Sequence, residues 1–459
     1  MQFTSPIFLF FFLPLALATV SLIRGGSKAM ALLFWSAFFY FWGEPKFFFV
    51  AVLSALCDYL LCQRIYLRVS KPEASRYLFA GVGLNLGILF YFKYMEFFLG
   101  GLNISIPHVA LPIGVSFIVF EKITYLVDVY RGKNQPAANF RTYLLYVLLF
   151  PKLLAGPIVK YHDIADQLGE KRQSLLLFKL GFERFLLGLV KKVFIADTLG
   201  ELVDTVFALP LPDVSFKVAW LGIFAFSTQI YFDFSAYSDM AIGMARMFGF
   251  QLRENFNMPY TATSFTDFWR RWHISLSTWI KEYLYISLGG NRYGVTRAYV
   301  NLCICFLLSG LWHGANWTFV LWGAYNGLFL VLDKLFWLRL SARLPRLLNI
   351  ALTFFFVMFG WVIFRSASLA QLEAFFSAMM NPLKLGQELY ITANIWTALV
   401  ISGLLSFIPA LGIYEKLVEW WNGMAWRGAI HSLCLSSFSL LALAKAITVT
   451  FKPFLYFRF

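Results

Sequence analysis

The stretch "YVNLCICFLLSGLWHGANWTFVLWGAYNGLFLVL", residues 299–332, decides the fold class. It is one long apolar run, broken only around "SGLWHGANW" (309–317), where His313 sits among Gly310, Gly314 and Ala315. Its apolar residues are continuous and do not alternate. Helices, and not a barrel, therefore satisfy the backbone in lipid. The same texture fills the rest of the chain. Of 459 residues, 60% are hydrophobic and 14% charged, with a mean hydropathy of +0.68, where a soluble domain carries roughly 25% charged residues. The chain is expected to be an all-α, polytopic integral membrane protein. At about 20 residues per span, the apolar runs give about 10–12 crossings, the shorter runs being re-entrant or broken helices. The first run, 5–23, has no basic segment before it and no cleavage site, and reads as a membrane helix rather than a removed signal peptide. No repeat or soluble insert divides the chain, so 1–459 reads as a single transmembrane domain.

The net charge of +15 is carried by short connections. Arg24 and Lys28 follow the first run, Arg64, Arg68, Lys71 and Arg76 the third, and Arg131, Lys133 and Arg141 the fifth, while the intervening connections are poor in cations. This alternation puts the N-terminus outside and the basic loops in the cytoplasm. Nucleic acid is excluded as a partner, because no basic stretch is free of membrane-type sequence. The five cysteines lie mostly in apolar runs and show neither a disulfide framework nor metal-ligand spacing with histidine, so no metal is expected.

Residues 246–297 differ, with seven basic and three acidic side chains. Within them, "SFTDFWRRWHISLSTWIKEYLYISL" places Phe265, Phe268, Trp269, Trp272, Leu276, Trp279, Ile280 and Tyr283 on one arc at 100° per residue. Asp267, Arg270, Arg271, Thr278, Lys281 and Glu282 lie opposite. The pattern predicts an interfacial helix over 265–284 on the cytoplasmic surface, with His273 at the edge of the apolar arc.

Two spans and a turn need more than about 40 residues, and the apolar part of 299–333 has only 35. The hairpin is thus expected to dip into the membrane or to cross a thinned one, with His313 at depth. An ionisable residue there is a functional hypothesis by default; the other reading is an interior histidine bonded to a carbonyl. The small neighbours suggest room on both sides of the ring, and Trp312 and Trp317 suggest its walls. In "QIYFDFSAYSDMAIG", Asp233 faces Tyr237 and Ser235 faces Asp239 at i,i+4, which reads as a buried hydrogen-bond network. Lys152, inside another apolar run, needs a polar cavity and an acidic or carbonyl partner.

Five segments in order carry a resemblance: "LPIGVSFIVFEKITYLVDVYRG" (111–132), "FPKLLAGPIVKYHD" (150–163), "YFDFSAYSDMAIG" (231–243), "ENFNMPYTATSFTDFWRRWHISLSTWIKEYLYISLGGNR" (254–292) and "GLWHGANWTFVLWGAYNG" (310–327). With "GWVIFRS" (360–366) they resemble the membrane-bound O-acyltransferase family, and within it the bacterial branch that O-acetylates alginate and related polysaccharides. The core motifs cover 111–327, and the tail beyond 366 carries no motif. The third residue of "FPKLLAGP" is often histidine in that branch; here it is Lys152.

The resemblance implies helices around a central tunnel and transfer of an acyl group, from cytosolic acetyl-CoA, to a hydroxyl. His313 and His273 correspond to the family's motif histidines. It implies that His313 acts as general base, a role suited to a neutral imidazole, with His273 as a second polar contact near the thioester. Trp312, Gly314, Asn316, Arg270, Arg271 and Asn257 are the expected donor and tunnel residues. Asp233, Ser235, Tyr237, Asp239 and Lys152 form the expected polar network. The implied setting is a bacterial inner membrane, with a polysaccharide synthesis and export complex and a periplasmic SGNH-hydrolase-like acetyltransferase or acyl-relay partner. Alanyl transfer to a cell-wall polymer is the near alternative; a transporter, channel or export scaffold is the alternative without chemistry.

Overall fold

The computed structural model describes residues 1–23, 25, 27–104, 106–154, 156–169, 174–448 and 454–455. Arg24, one of the orienting charges, lies outside the described residues. The described elements are all helices, with no strand among them. Seven are long and apolar enough to cross a membrane: Pro45–Tyr66, Glu73–Gly101, Val295–His313, Trp317–Ser341, Arg346–Arg365, Ala393–Ala410 and Arg427–Thr448. Several other apolar runs are divided. Residues 142–156 become Phe140–Leu148 and Phe150–Leu153, because Leu149 leaves the helical region (φ −52°, ψ 102°) and Pro151 then starts a new first turn. Phe8–Leu22 and Leu369–Met380 are apolar but short.

The chain divides into two compact units, one of residues 1–186 and 237–254, the other of 187–236 and 255–459. In the first, the helices Pro45–Tyr66, Glu73–Leu89 and Val115–Tyr130 pack together. They enclose Lys122, whose Nζ meets Asp58 Oδ2 at 3.1 Å and Ser54 Oγ at 2.7 Å, while Asn85 Nδ2 donates to Asp58 Oδ1 at 2.9 Å.

The second unit is built on the hairpin of Val295–His313 and Trp317–Leu332, against which Arg346–Arg365 packs. The expected length shortage is corrected here. The first arm has 19 residues and the second continues to Ser341 as 25, about 28 and 37 Å of helix at 1.5 Å per residue. The ends, 295–298 and 333–341, carry Arg297, Asp333, Lys334 and Arg339 and are helical although they fall outside the apolar run. The hairpin can therefore cross, with His313 at its tip.

The glycines serve this hairpin. A Cβ on Gly310 would lie 2.1 Å from the carbonyl oxygen of Phe319, and one on Gly323 would lie 2.3 Å from that of Phe306. Only hydrogen fits at these two crossings, so the arms approach backbone to backbone, as small residues allow between membrane helices.

Candidate active site

The predicted interfacial helix is broken where His273 stands. Phe265–Arg271 is helical, Trp272 is extended (φ −99°, ψ 129°), His273 is left-handed (φ 44°, ψ 54°), and Ile274–Trp279 resumes the helix. A left-handed non-glycine residue costs roughly 1–2 kcal/mol, so something must hold it. The segment after Glu254 does. The N–H of Asn257 donates to the carbonyl of Arg271, and that of Ile274 to the carbonyl of Asn255, both at 2.9 Å. The side-chain oxygen of Asn255 accepts from the Ser275 amide (3.2 Å), the Ser275 hydroxyl (2.9 Å) and Nδ1 of His273 (3.2 Å).

That last bond fixes the tautomer. The Ser275 amide can only donate, so the Asn255 atom it meets is the oxygen, and Nδ1 of His273 must carry the proton. The lone pair of the neutral ring is then on Nε2. Burial also keeps the ring neutral, pulling its pKa from 6.5 down to about 3. The expected faces survive the break in part: Phe265, Phe268, Trp269, Trp272, Leu276, Trp279 and Tyr283 are buried and Ile280 half-buried, while opposite them Arg270 and Lys281 are exposed and Asp267, Arg271, Thr278 and Glu282 half-buried.

His313, 5% exposed, is boxed by rings. Its centroid lies 5.0 Å from Trp312, 5.0 Å from Trp322 and 5.3 Å from Phe364, all edge-on. The expected walls are half right. Trp312 is one of them, but Trp317 is 61% exposed, and Trp322 and Phe364 complete the box. The expected room beside the ring is corrected as well. Gly310 is filled by the Phe319 backbone, and a Cβ on Gly314 would strike the Phe319 ring at 2.3 Å. Asn316 is a helix cap, accepting from the Thr318 amide at 3.1 Å and donating to the carbonyl of Ala367 at 3.2 Å.

The two histidines meet through one side chain. Trp312 lies 6.3 Å from the His273 ring and 5.0 Å from that of His313. Beside them is a cavity of about 520 Å³. Arg270, Lys281 and Lys334 line it with exposed cationic ends, and Ile274, Leu276, Leu302, Phe306 and Leu330 supply apolar wall. Ile274 follows His273 in sequence, and Ser309, another wall residue, precedes His313 by one helical turn. Neither histidine is itself in the lining, and His313 is reached from it through Trp269 and then Trp322. Of the expected donor residues, Arg270 lines the cavity. Arg271 is instead paired with Asp267 at 2.8 Å, and Asn257 is exposed away from the cavity.

The expected polar network separates into ion pairs. Asp233 meets Lys192 Nζ at 2.6 Å, in the second unit; Asp239 meets Arg184 at 2.6 Å, in the first. Ser235 bonds back to the carbonyl of Phe232 at 3.5 Å, and the Tyr237 ring packs on Phe3 at 5.8 Å. Lys152 has the acidic partner its position requires: it is fully buried against Glu121, which also accepts from the Val159 amide at 3.3 Å. Sequence reasoning missed Asn255, Trp322, Phe364 and Lys334. Asn255, Trp322 and Phe364 lay inside quoted motifs, but nothing local marked their partners.

The model of the MBOAT, membrane-bound O-acyltransferase, family matches residues 133–373. The chain belongs to this family. Over its whole length it is 38% identical to a probable alginate O-acetylase of Pseudomonas putida, all of which is covered. A peptidoglycan O-acetyltransferase of Helicobacter pylori is 35% identical over 80% of this chain and 77% of its own. A teichoic acid D-alanyltransferase of Bacillus subtilis is 26% identical over 68% of this chain and 84% of its own. The protein is thus a multi-pass membrane O-acyltransferase.

Proposed function

We propose that the protein moves an acetyl group from cytosolic acetyl-CoA to a hydroxyl acceptor, for O-acetylation of an exported polysaccharide such as alginate or cellulose, in a bacterial inner membrane. The observation that carries this reading is the pairing of two buried histidines on Trp312 beside a cavity with a cationic rim. Arg270, Lys281 and Lys334 suit the phosphates of coenzyme A, and the apolar wall suits its thioester arm. The resemblance to two relatives named as O-acetylating supports acetyl as the acyl group.

In the proposed reaction the acceptor oxygen attacks the thioester carbonyl. The oxygen–carbon bond forms, the carbon–sulfur bond breaks, the hydroxyl proton passes to His313, and the thiolate leaves and is protonated to free coenzyme A. His273, neutral and with its lone pair on Nε2, is the polar contact beside the thioester. A periplasmic SGNH-hydrolase-like acetyltransferase or acyl-relay protein takes the group on to the glycan. Membranes holding the protein, incubated with acetyl-labelled coenzyme A, should release free coenzyme A and label an acceptor. A transporter or scaffold does neither, and an alanyl-transfer enzyme leaves acetyl-CoA untouched.

A further inference from the structure

Asp233 is buried in the middle of the long helix Phe216–Met247, and its two oxygens have different tasks. Oδ1 meets Lys192 Nζ at 2.6 Å, which also meets Asp197 at 2.7 Å. Oδ2 accepts the backbone N–H of Leu455 at 2.8 Å, from 222 residues away. The Phe454–Leu455 pair held there is buried, at 0% and 3% exposure. Next along the same helix, Phe234 makes two contacts that join this pair to the site. Phe454 packs on Phe234 with centroids 5.6 Å apart, and Phe234 meets the His273 ring edge-on at 4.6 Å.

We propose that Phe454 and Leu455 form a positioning element of the acyl-transfer site, latched by Asp233 and pressing Phe234 against His273. His273 sits on a left-handed residue between two short helical pieces, so its ring direction depends on what flanks it. Asn255 fixes one ring nitrogen through a hydrogen bond; the Phe234 ring, backed by Phe454, supplies the apolar stop. A side chain is held to catalytic tolerance only when its supports are themselves locked by packing. This gives the first aspartate of "YFDFSAYSDM", Asp233, a task in the site although it never reaches a substrate. It also gives a task to a tail segment that carries no motif. The inference rests on His273 acting in the transfer.

The test is a double-mutant cycle on the purified full chain, with kcat and KM for acetyl-CoA and the melting temperature measured for each variant. Phe454→Ala should lower kcat about tenfold with KM little changed, a loss of positioning rather than of donor binding. In a His273→Ala background the same change should cost nothing further, because the ring it positions is gone. Phe454→Leu should give a smaller fall, and it carries the same cycle if the alanine variant does not fold. If the two losses multiply, or if Phe454→Ala lowers only the melting temperature, the segment is merely structural and the inference is overturned. If His273→Ala keeps full transfer, the role of His273 and the inference fail together, and this outcome is distinguishable from the first two.

Discussion

Gly310→Ala tests whether the glycines at the hairpin tip hold helices together or leave space for substrates. The added methyl would sit 2.1 Å from the Phe319 carbonyl oxygen and 3.1 Å from the Gly323 nitrogen. Ordinary contact begins at 3.4 Å, so the arms must separate by about 1.3 Å. The obstruction is backbone on a packed helix and cannot rotate aside. Overpacking of this kind costs about 1–3 kcal/mol, enough to lower the melting temperature without preventing insertion. The effect on catalysis is larger. His313 lies three residues beyond Gly310 and shares its helix end, and a 1 Å misplacement of a reacting group costs on the order of 100-fold in rate. Gly327, on the same interface, is the control. Its added Cβ would lie 3.3 Å from Cys303 Cα, which a shift of a few tenths of an ångström relieves.

The assay is acetyl transfer from labelled acetyl-CoA by purified Gly310→Ala and Gly327→Ala, with helical content checked by circular dichroism. Gly310→Ala should lose about 100-fold and Gly327→Ala no more than about threefold. A Gly310→Ala enzyme of near-normal activity would mean that the glycine borders open space. So would equal damage from both changes, since the contact distances would then have no bearing on rate.

Replacing His313 with alanine should lower acetyl transfer on the order of 10²–10⁴, the range for loss of a general base, with the protein still folded and coenzyme A binding unchanged. Arg270→Gln should raise KM for acetyl-CoA and leave kcat nearly as it was, and the reverse pattern would remove Arg270 from the donor mouth. Lys152→Met leaves Glu121 buried without its partner and should destabilise by roughly 3–5 kcal/mol in denaturation, whereas the pair Lys152→Met with Glu121→Leu should recover much of that loss. His273 should make stability fall in acid. Its folded pKa of about 3 lies below 6.5, so the unfolded chain binds the proton first, and its contribution is full above pH 6.5 and is lost as pH falls toward 3. At pH 5 the loss is about 2 kcal/mol, from 1.36 kcal/mol per pH unit, and a His273→Asn protein should show a correspondingly flatter melting temperature between pH 7 and pH 5.

How far the sequence could be read depends on whether the relevant physics is local. Burial follows composition and period, so the helical class was legible, as were the buried arc from Phe265 to Tyr283 and the exposure of Arg270. The break at His273 was not. The 100° pattern runs through it undisturbed, with Trp272 and Leu276 both buried on the same arc, and the force that breaks the helix comes from Asn255, 18 residues earlier. The two aspartates looked like one network because they are close in sequence, yet their charges are met by Lys192 and Arg184, on other segments. The glycines gave the most misleading signal. A glycine is written alike whether it borders a void or a backbone, and only the partner's position tells them apart. At Gly310 and Gly314 that partner is Phe319, six residues past His313 and on the opposite arm. The space for the donor therefore has to be sought on the side of the histidines where the chain does leave a cavity. That side is walled by Trp269, Ile274 and Ser309 and rimmed by Arg270, Lys281 and Lys334. For a thioester to reach His273 or His313 from there, side chains of that wall have to give way. Trp269 is the wall residue whose ring meets Trp322, itself in contact with His313, so Trp269→Ala should change the rate of transfer more than the affinity for coenzyme A. An affinity loss with unchanged kcat would place the route to the histidines elsewhere.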